Sequence, residues 1–307
     1  RYIQYIGRAR GYMIRLKVQK IFKELFVFLL VAALFIPRTS LAAETTVNLR
    51  TTSTFAILAG TTITNTGPTT VAGDAGSDIG LHPGTDFPGS ASVTTVGAIH
   101  LNDAVAEQAK QDLVLAYDDA AGRTPTTTFA ETDNQLGGKT LTTGVYRFGH
   151  ADTANLTASQ PLILDAQGDP NAVFIFQATS DLVFASNSVV QLINGARYCR
   201  VFWQVASDVT INSYATFVGH IFAMNSIWVR TGATVQGQLL ARNGEVTLDT
   251  NTITNGLCAT VTPSPTPGGP VVIPSTGDEA TPILWVGIVV VAAAGLTILL
   301  VMRKRRK

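Results

Sequence analysis

VRTGATVQGQLLARNG, residues 229–244, nearly repeats INSYATFVGHIFAMNS, residues 211–226, which stands eighteen positions earlier. Ala215 falls on Ala233, Thr216 on Thr234, Phe217 on Val235 and Gly219 on Gly237. Ile221 falls on Leu239, Ala223 on Ala241 and Asn225 on Asn243, and Thr252-Ile253 begins a third copy. A fixed period of this length marks a repeat architecture. VFIFQATSDL (173–182) aligns with RVFWQVASDV (200–209) at an offset of 27, so coils of variable length extend upstream.

Short alternating runs surround these copies: FAILAG (55–60), TTVAG (69–73), PLILDAQ (161–167), AVFIFQ (172–177), VFWQV (201–205) and IWVR (227–230). Each is bounded by Gly, Asn, Asp, Ser or Pro, which is the pattern of strands and turns. Together they predict a mainly β chain built as a β-solenoid, whose coils pair with those above and below at ~4.8 Å per step. Val209, Ile211, Phe217, Ile221 and Ala223 are expected to point inward, with Ile227, Val229, Val235, Leu239 and Ala241 stacked on them. Gly219 and Gly237 are expected at tight corners, where a Cβ is penalised. Thr216, Thr234 and Thr252 are expected to form an outward column, one per coil.

NDAVAEQAKQDLVLAYDDAAG (102–122) breaks the pattern. Val105, Ala109, Leu113, Ala116, Tyr117 and Ala120 recur at a 3–4 spacing, which predicts an amphipathic helix. Asn102 or Asp103 supplies its cap and Gly122 its end. In a strand-rich chain such a helix is expected to pack along the stack.

The 307 residues divide unevenly in charge. The body from about 44 to 262 carries nine basic and 18 acidic residues, a net −9. That does not suit a phosphate backbone, so nucleic acid is not an expected partner. Met13 begins a basic stretch, LFVFLLVAALFI (25–36) is a short apolar run, and Ser40-Leu41-Ala42 offers small residues for cleavage. This reads as a secretory signal within residues 1–43, with 1–12 an over-extended start. Residues 259–276 are rich in Pro, Thr and Ser and read as an extended stalk after a folded domain of 44–258. Ile283–Met302 is a stretch of twenty residues without a charge, followed by RKRRK. Residues 277–307 are therefore expected to form a transmembrane helix with a cytoplasmic basic tail. Ile273-Pro274-Ser275-Thr276-Gly277 resembles the sortase sorting signal of Gram-positive bacteria, with Ile in the place of Leu. That resemblance implies Thr276 as the wall-linked residue, Gly277 as the start of the removed segment, and sortase and the cell wall as partners. Cys199 and Cys258 both lie in the exported body, where an even number favours a disulfide; two separate buried thiols are the other reading.

Catalytic and metal-binding patterns are sparse. His82, His100, His150 and His220 show no ligand spacing and read as surface or loop residues; neither HExxH nor CxxC occurs. Asp165, Asp169, Asp181 and Asp208 read as turn residues rather than as an acid–base pair. Phe202, Trp203, Phe222 and Trp228 read mainly as core or edge packing, against a carbohydrate-stacking patch. No cofactor is expected, and the chain is not expected to be an enzyme.

Several blocks in one order resemble the bacterial and fungal ice-binding family built on a discontinuous β-solenoid. They are FAILAGTTITNTGPTTVAGDAG (55–76), IHLNDAVAEQAKQDLVLAYDDAAGRTP (99–125), LTTGVYRF (141–148), LILDAQGDPNAVFIFQ (162–177), NGARYCRVFWQV (194–205) and TGATVQGQLLARNGEVTLDTNTIT (231–254). The resemblance implies a right-handed, monomeric solenoid of roughly triangular section, a long helix alongside, and coils stacked out of chain order. It also implies an ice face on one flat side, often carrying Thr-Ala/Gly-X-Thr/Asn. Thr231-Gly232-Ala233-Thr234 fits that pattern; Ser213-Tyr214-Ala215-Thr216 places Tyr where the pattern has a small residue. Thr231, Thr234, Thr216, Thr252, Ser213 and Thr250 are thus the expected ice-binding residues of a cell-surface protein. A wall-anchored adhesin or structural surface protein that binds glycan or another cell is the alternative.

Overall fold

The computed structural model describes residues 44–130, 133–148 and 153–258. Strand pairs among them are parallel. Two eight-residue strands, Thr216–Ala223 and Thr234–Ala241, lie side by side in register from Thr216↔Thr234 to Ala223↔Ala241. This is the eighteen-residue repeat seen in three dimensions. All ten residues expected to point inward are buried.

The coils present three sides. One is a six-stranded sheet in the spatial order Ala154–Leu156, Leu182–Phe184, Val209–Ile211, Ile227–Val229, Val246–Asp249 and Ile63–Thr66. A second begins in the first halves of the two long strands and continues through Thr252–Thr254, Thr69–Ala72 and Val93–Thr95. In the other direction a bridge from Thr216 to Val189 leads to Val190–Ile193, Leu162–Asp165 and Thr140–Leu141. The third side is formed by the second halves of the long strands with Val201–Val205, Phe174–Ala178 and Gly144–Phe148. Between the second and third sides each long strand passes through a glycine at positive φ, Gly219 at 115° and Gly237 at 144°. A Cβ on Gly237 would fall 1.8 Å from the Gly219 carbonyl oxygen, so the backbone can bend and stack there only without a side chain.

Chain order and stacking order differ. Phe55–Ala59 pairs with Thr234–Ala241, Ile63–Thr66 with Val246–Asp249, and Thr69–Ala72 with Thr252–Thr254. The first coil of the domain therefore packs on the last. An eighteen-residue period cannot signal this, because the joined coils are far apart in sequence.

The interior is aromatic. Trp203 stacks on Phe176 with ring centroids 3.9 Å apart, and Phe184 meets it edge-on at 5.5 Å. Phe202, next to Trp203, is also buried, but on the opposite face of its strand. There it joins Val145, Ile175, Phe222 and Leu240 beneath the helix Ala104–Gly122. Ala109, Leu113, Ala116, Tyr117 and Ala120 form the buried stripe of that helix. Ala106 is buried in the first turn, whereas Val105, expected in the stripe, is exposed. The early spacing is compatible with either residue, and the packing selects the smaller one. Asp103 caps the start by accepting from the Ala106 N–H at 2.8 Å. At the other end the Gln177 side-chain amide donates to the Ala120 and Arg123 carbonyls, both at 2.8 Å. Helix ends leave such carbonyls without partners, so this side chain fixes the helix to the stack.

The disulfide Cys199–Cys258 joins the short turn after Arg197 to the end of the domain, with Cα atoms 5.6 Å apart. His220 departs from the surface reading: it is buried, stacked on Phe202 at 5.3 Å. The expected signal (1–43), stalk, membrane span and sorting residues Ile273, Pro274, Thr276 and Gly277 lie outside the described residues, as does His150. No helix among the described residues is long and apolar enough to cross a membrane.

Candidate functional surface

The second side carries one regular feature. Thr216 pairs with Thr234, Thr234 with Thr252, Thr252 with Thr70, and Thr70 with Thr94. All five are exposed. The residue before four of them points inward and is buried: Ala215, Ala233, Asn251 and Thr69. Inward and outward residues therefore alternate here as strand geometry requires. Neighbouring hydroxyls and methyls repeat at ~4.8 Å along the stack, the inter-strand step. Val189, also exposed, extends the column by one apolar residue.

Thr70 and Thr94 were not among the residues expected from the sequence. They come from N-terminal strands that the out-of-order stacking brings beside Thr252. A local signal exists. Thr70-Val71-Ala72-Gly73 matches Thr234-Val235-Gln236-Gly237, and Gly73 shares the positive φ of Gly237.

A second outward row lies at the turn from the six-stranded side, two residues back along each coil, or three at Gly67, where Pro68 adds one residue. Asn187, Tyr214, Gly232, Thr250 and Gly67 all adopt positive φ there. The same backbone bond links successive turns: Asn187 N–H to Ser213 O, Tyr214 to Thr231 O, Gly232 to Asp249 O and Thr250 to Thr66 O, at 2.9–3.1 Å. Each turn is thus held by its neighbours, and the surface is rigid before it meets anything. Thr250 stands beside Thr252, with buried Asn251 between them.

The remaining expected residues do not join the column. Ser213 and Thr231 sit at the turn itself. The Thr231 hydroxyl donates to Asp249 Oδ2 at 2.5 Å, and Thr250 donates to Asp249 Oδ1 at 3.0 Å. One carboxylate therefore orients two threonines. The column threonines carry no charge, and neither do the residues two positions further on, Val218, Gln236, Thr254 and Ala72.

The alternatives weaken on the same geometry. Asp181 Oδ1 accepts the Asp208 N–H at 3.2 Å and Asp208 Oδ1 accepts the Ser226 N–H at 2.8 Å, so both carboxylates tie coil to coil. Asp165 and Asp169 accept backbone N–H groups two residues ahead, as turn residues do. Phe202, Trp203 and Phe222 are buried, and Trp228 is half-buried with its Nε1–H on Glu245 at 2.8 Å. These aromatics form no stacking platform for a sugar. Among the described residues no group of three His, Cys, Asp or Glu side chains is placed to hold a metal ion.

A parallel-coil scaffold with a helix covering one side and an ordered column of threonines on the second defines the structural class. Residues 57–254 match the ice-binding-like family, and the chain belongs to it. An ice-binding protein from Nostoc sp. is 38% identical over 237 residues, covering 77% of this chain and 84% of that protein. The crystal structure of an ice-binding protein from an Antarctic biological consortium superimposes with a TM-score of 0.64 at 37% identity, covering 69% of this chain and 92% of that one. An ice-binding protein from the Antarctic ascomycete Antarctomyces psychrotrophicus gives a TM-score of 0.63 at 35% identity, over 68% and 98% of the two chains. The family is not one of enzymes.

Proposed function

We propose that this chain binds ice, and that it does so through the side carrying Thr216, Thr234, Thr252, Thr70 and Thr94. The observation that carries the reading is the unbroken, exposed column of five threonines on consecutive coils. Rows at ~4.8 Å along the stack and ~6.7 Å along each strand form a grid of hydroxyls and methyls. Each hydroxyl can hold one water in a fixed position, and each methyl buries a little apolar surface. Because the coils fix the spacing before contact, little ordering entropy is lost on adsorption, and preorganisation is the main source of affinity. The test is uptake of the purified protein into slowly grown ice: incorporation supports the reading, and exclusion with the solutes contradicts it.

The flanking segments support a cell-surface setting. A signal within 1–43 directs export. The stalk 259–276 holds the domain outward, and 283–302 retains it in a membrane unless sortase transfers Thr276 to the wall. In that setting the protein attaches the cell to ice or restrains ice growth beside it.

A further inference from the structure

The row of turns beside the threonine column contains one large side chain. Tyr214 is 63% exposed, in a position occupied elsewhere by Asn187, Gly232, Thr250 and Gly67. Its backbone has φ 60°, the left-handed region that side chains rarely adopt. Ala215, the next residue, is fully buried, so Tyr214 and Thr216 face outward on the same side.

The direction of the ring is the informative detail. A Cβ built on Gly232 would fall 2.6 Å from Tyr214 Cε1, 2.8 Å from Cδ1 and 3.6 Å from Cζ. The ring therefore reaches across one coil step and lies on the backbone of Gly232. It fills the volume that a side chain at 232 would occupy. A ring standing away from the stack would hold the threonines off any flat surface. A ring lying in the notch left by a glycine stands lower than a ring directed away from the stack.

We propose that Tyr214 and Gly232 act as a compensated pair that keeps this row level with the threonine column, so that the Tyr214 ring is part of the adsorbing surface. The proposal rests on the ice-binding reading above. It assigns Gly232 a role beyond its turn: it makes room for the ring. Tyr214 presents an exposed aromatic ring beside the column, whose apolar surface loses its hydration when a flat surface meets it.

The test measures the lowest protein concentration that halts ice recrystallisation, with melting temperature as the control for folding. Tyr214→Gly removes the ring and relieves the backbone, so the protein should remain folded while several-fold more is needed. Gly232→Asn keeps a residue tolerant of positive φ but lifts the ring, and should raise the required concentration further. The double variant Gly232→Asn/Tyr214→Gly should return to the level of Tyr214→Gly alone, because the lift needs the ring. An unchanged or lower requirement for Tyr214→Gly overturns the proposal, as does a double variant no better than Gly232→Asn. If Gly232→Asn fails to fold, the Tyr214→Gly result alone decides. A wild-type protein without activity would instead reject the ice-binding reading itself.

Discussion

Acid should destabilise this domain through the buried imidazole of His220. The imidazole is buried at the centre of the long strand Thr216–Ala223, stacked on Phe202 and paired in register with Gln238. Burial lowers its pKa from 6.5 to about 4, opposed only in part by the Gln238 side chain and the backbone at Cys199. The folded-state value lies below the unfolded one, so the unfolded chain binds the extra proton between them. The contribution of this group is therefore full above pH 6.5 and falls as pH drops towards 4. At ~1.36 kcal/mol per pKa unit, the loss from this group reaches about 3 kcal/mol by pH 4. For a domain of this size that is on the order of 10 °C in melting temperature. The assay is thermal unfolding of the wild type and His220→Gln between pH 7.5 and 4. Gln keeps a polar group beside Gln238 but cannot titrate, so the variant should lose less stability over the same range. Parallel pH curves for the two proteins would refute the reasoning.

Two further outcomes concern the end of the domain. Closing the 59-residue separation between Cys199 and Cys258 contributes about 4 kcal/mol in the chain-entropy description, so reductant should lower the melting temperature; two reactive thiols in unfolded, unreduced protein would exclude the bridge. If the sorting segment is used, mass spectrometry of wall digests should find chains ending at Thr276; chains that continue through Gly277 would leave only a membrane anchor.

Much of the fold is written locally. The eighteen-residue offset between 211–226 and 229–244 states which residues face inward, because each coil repeats the environment of the last. Asp181 and Asp208 are legible as turn residues for the same reason. Three features are not local. Phe202 and Trp203 are both buried because the helix covers the outside of their strand, whereas neighbouring strand residues normally divide between core and solvent. Thr70 and Thr94 join the column only because the first coil packs on the last. Thr231 resembles a column threonine in sequence, yet its hydroxyl is committed to Asp249, eighteen residues away. Periodicity reports the environment within a coil, and these three features depend on contacts between coils or on the helix.

The central claim is that the threonine column itself meets ice. Uptake into growing ice tests it with one variant and one control. Thr234 lies within the column between Thr216 and Thr252, so Thr234→Tyr raises a ring from among the threonines, where no glycine makes room for it. Gln111→Tyr places the same ring on an exposed position of the helix, away from that side. Both proteins should melt within about 1 °C of the wild type, since exposed substitutions rarely change stability by more than ~0.5 kcal/mol. The account predicts that wild type and Gln111→Tyr enter the ice while Thr234→Tyr stays in the liquid. Equal uptake of Thr234→Tyr and Gln111→Tyr would contradict it and place the binding face on another side of the stack.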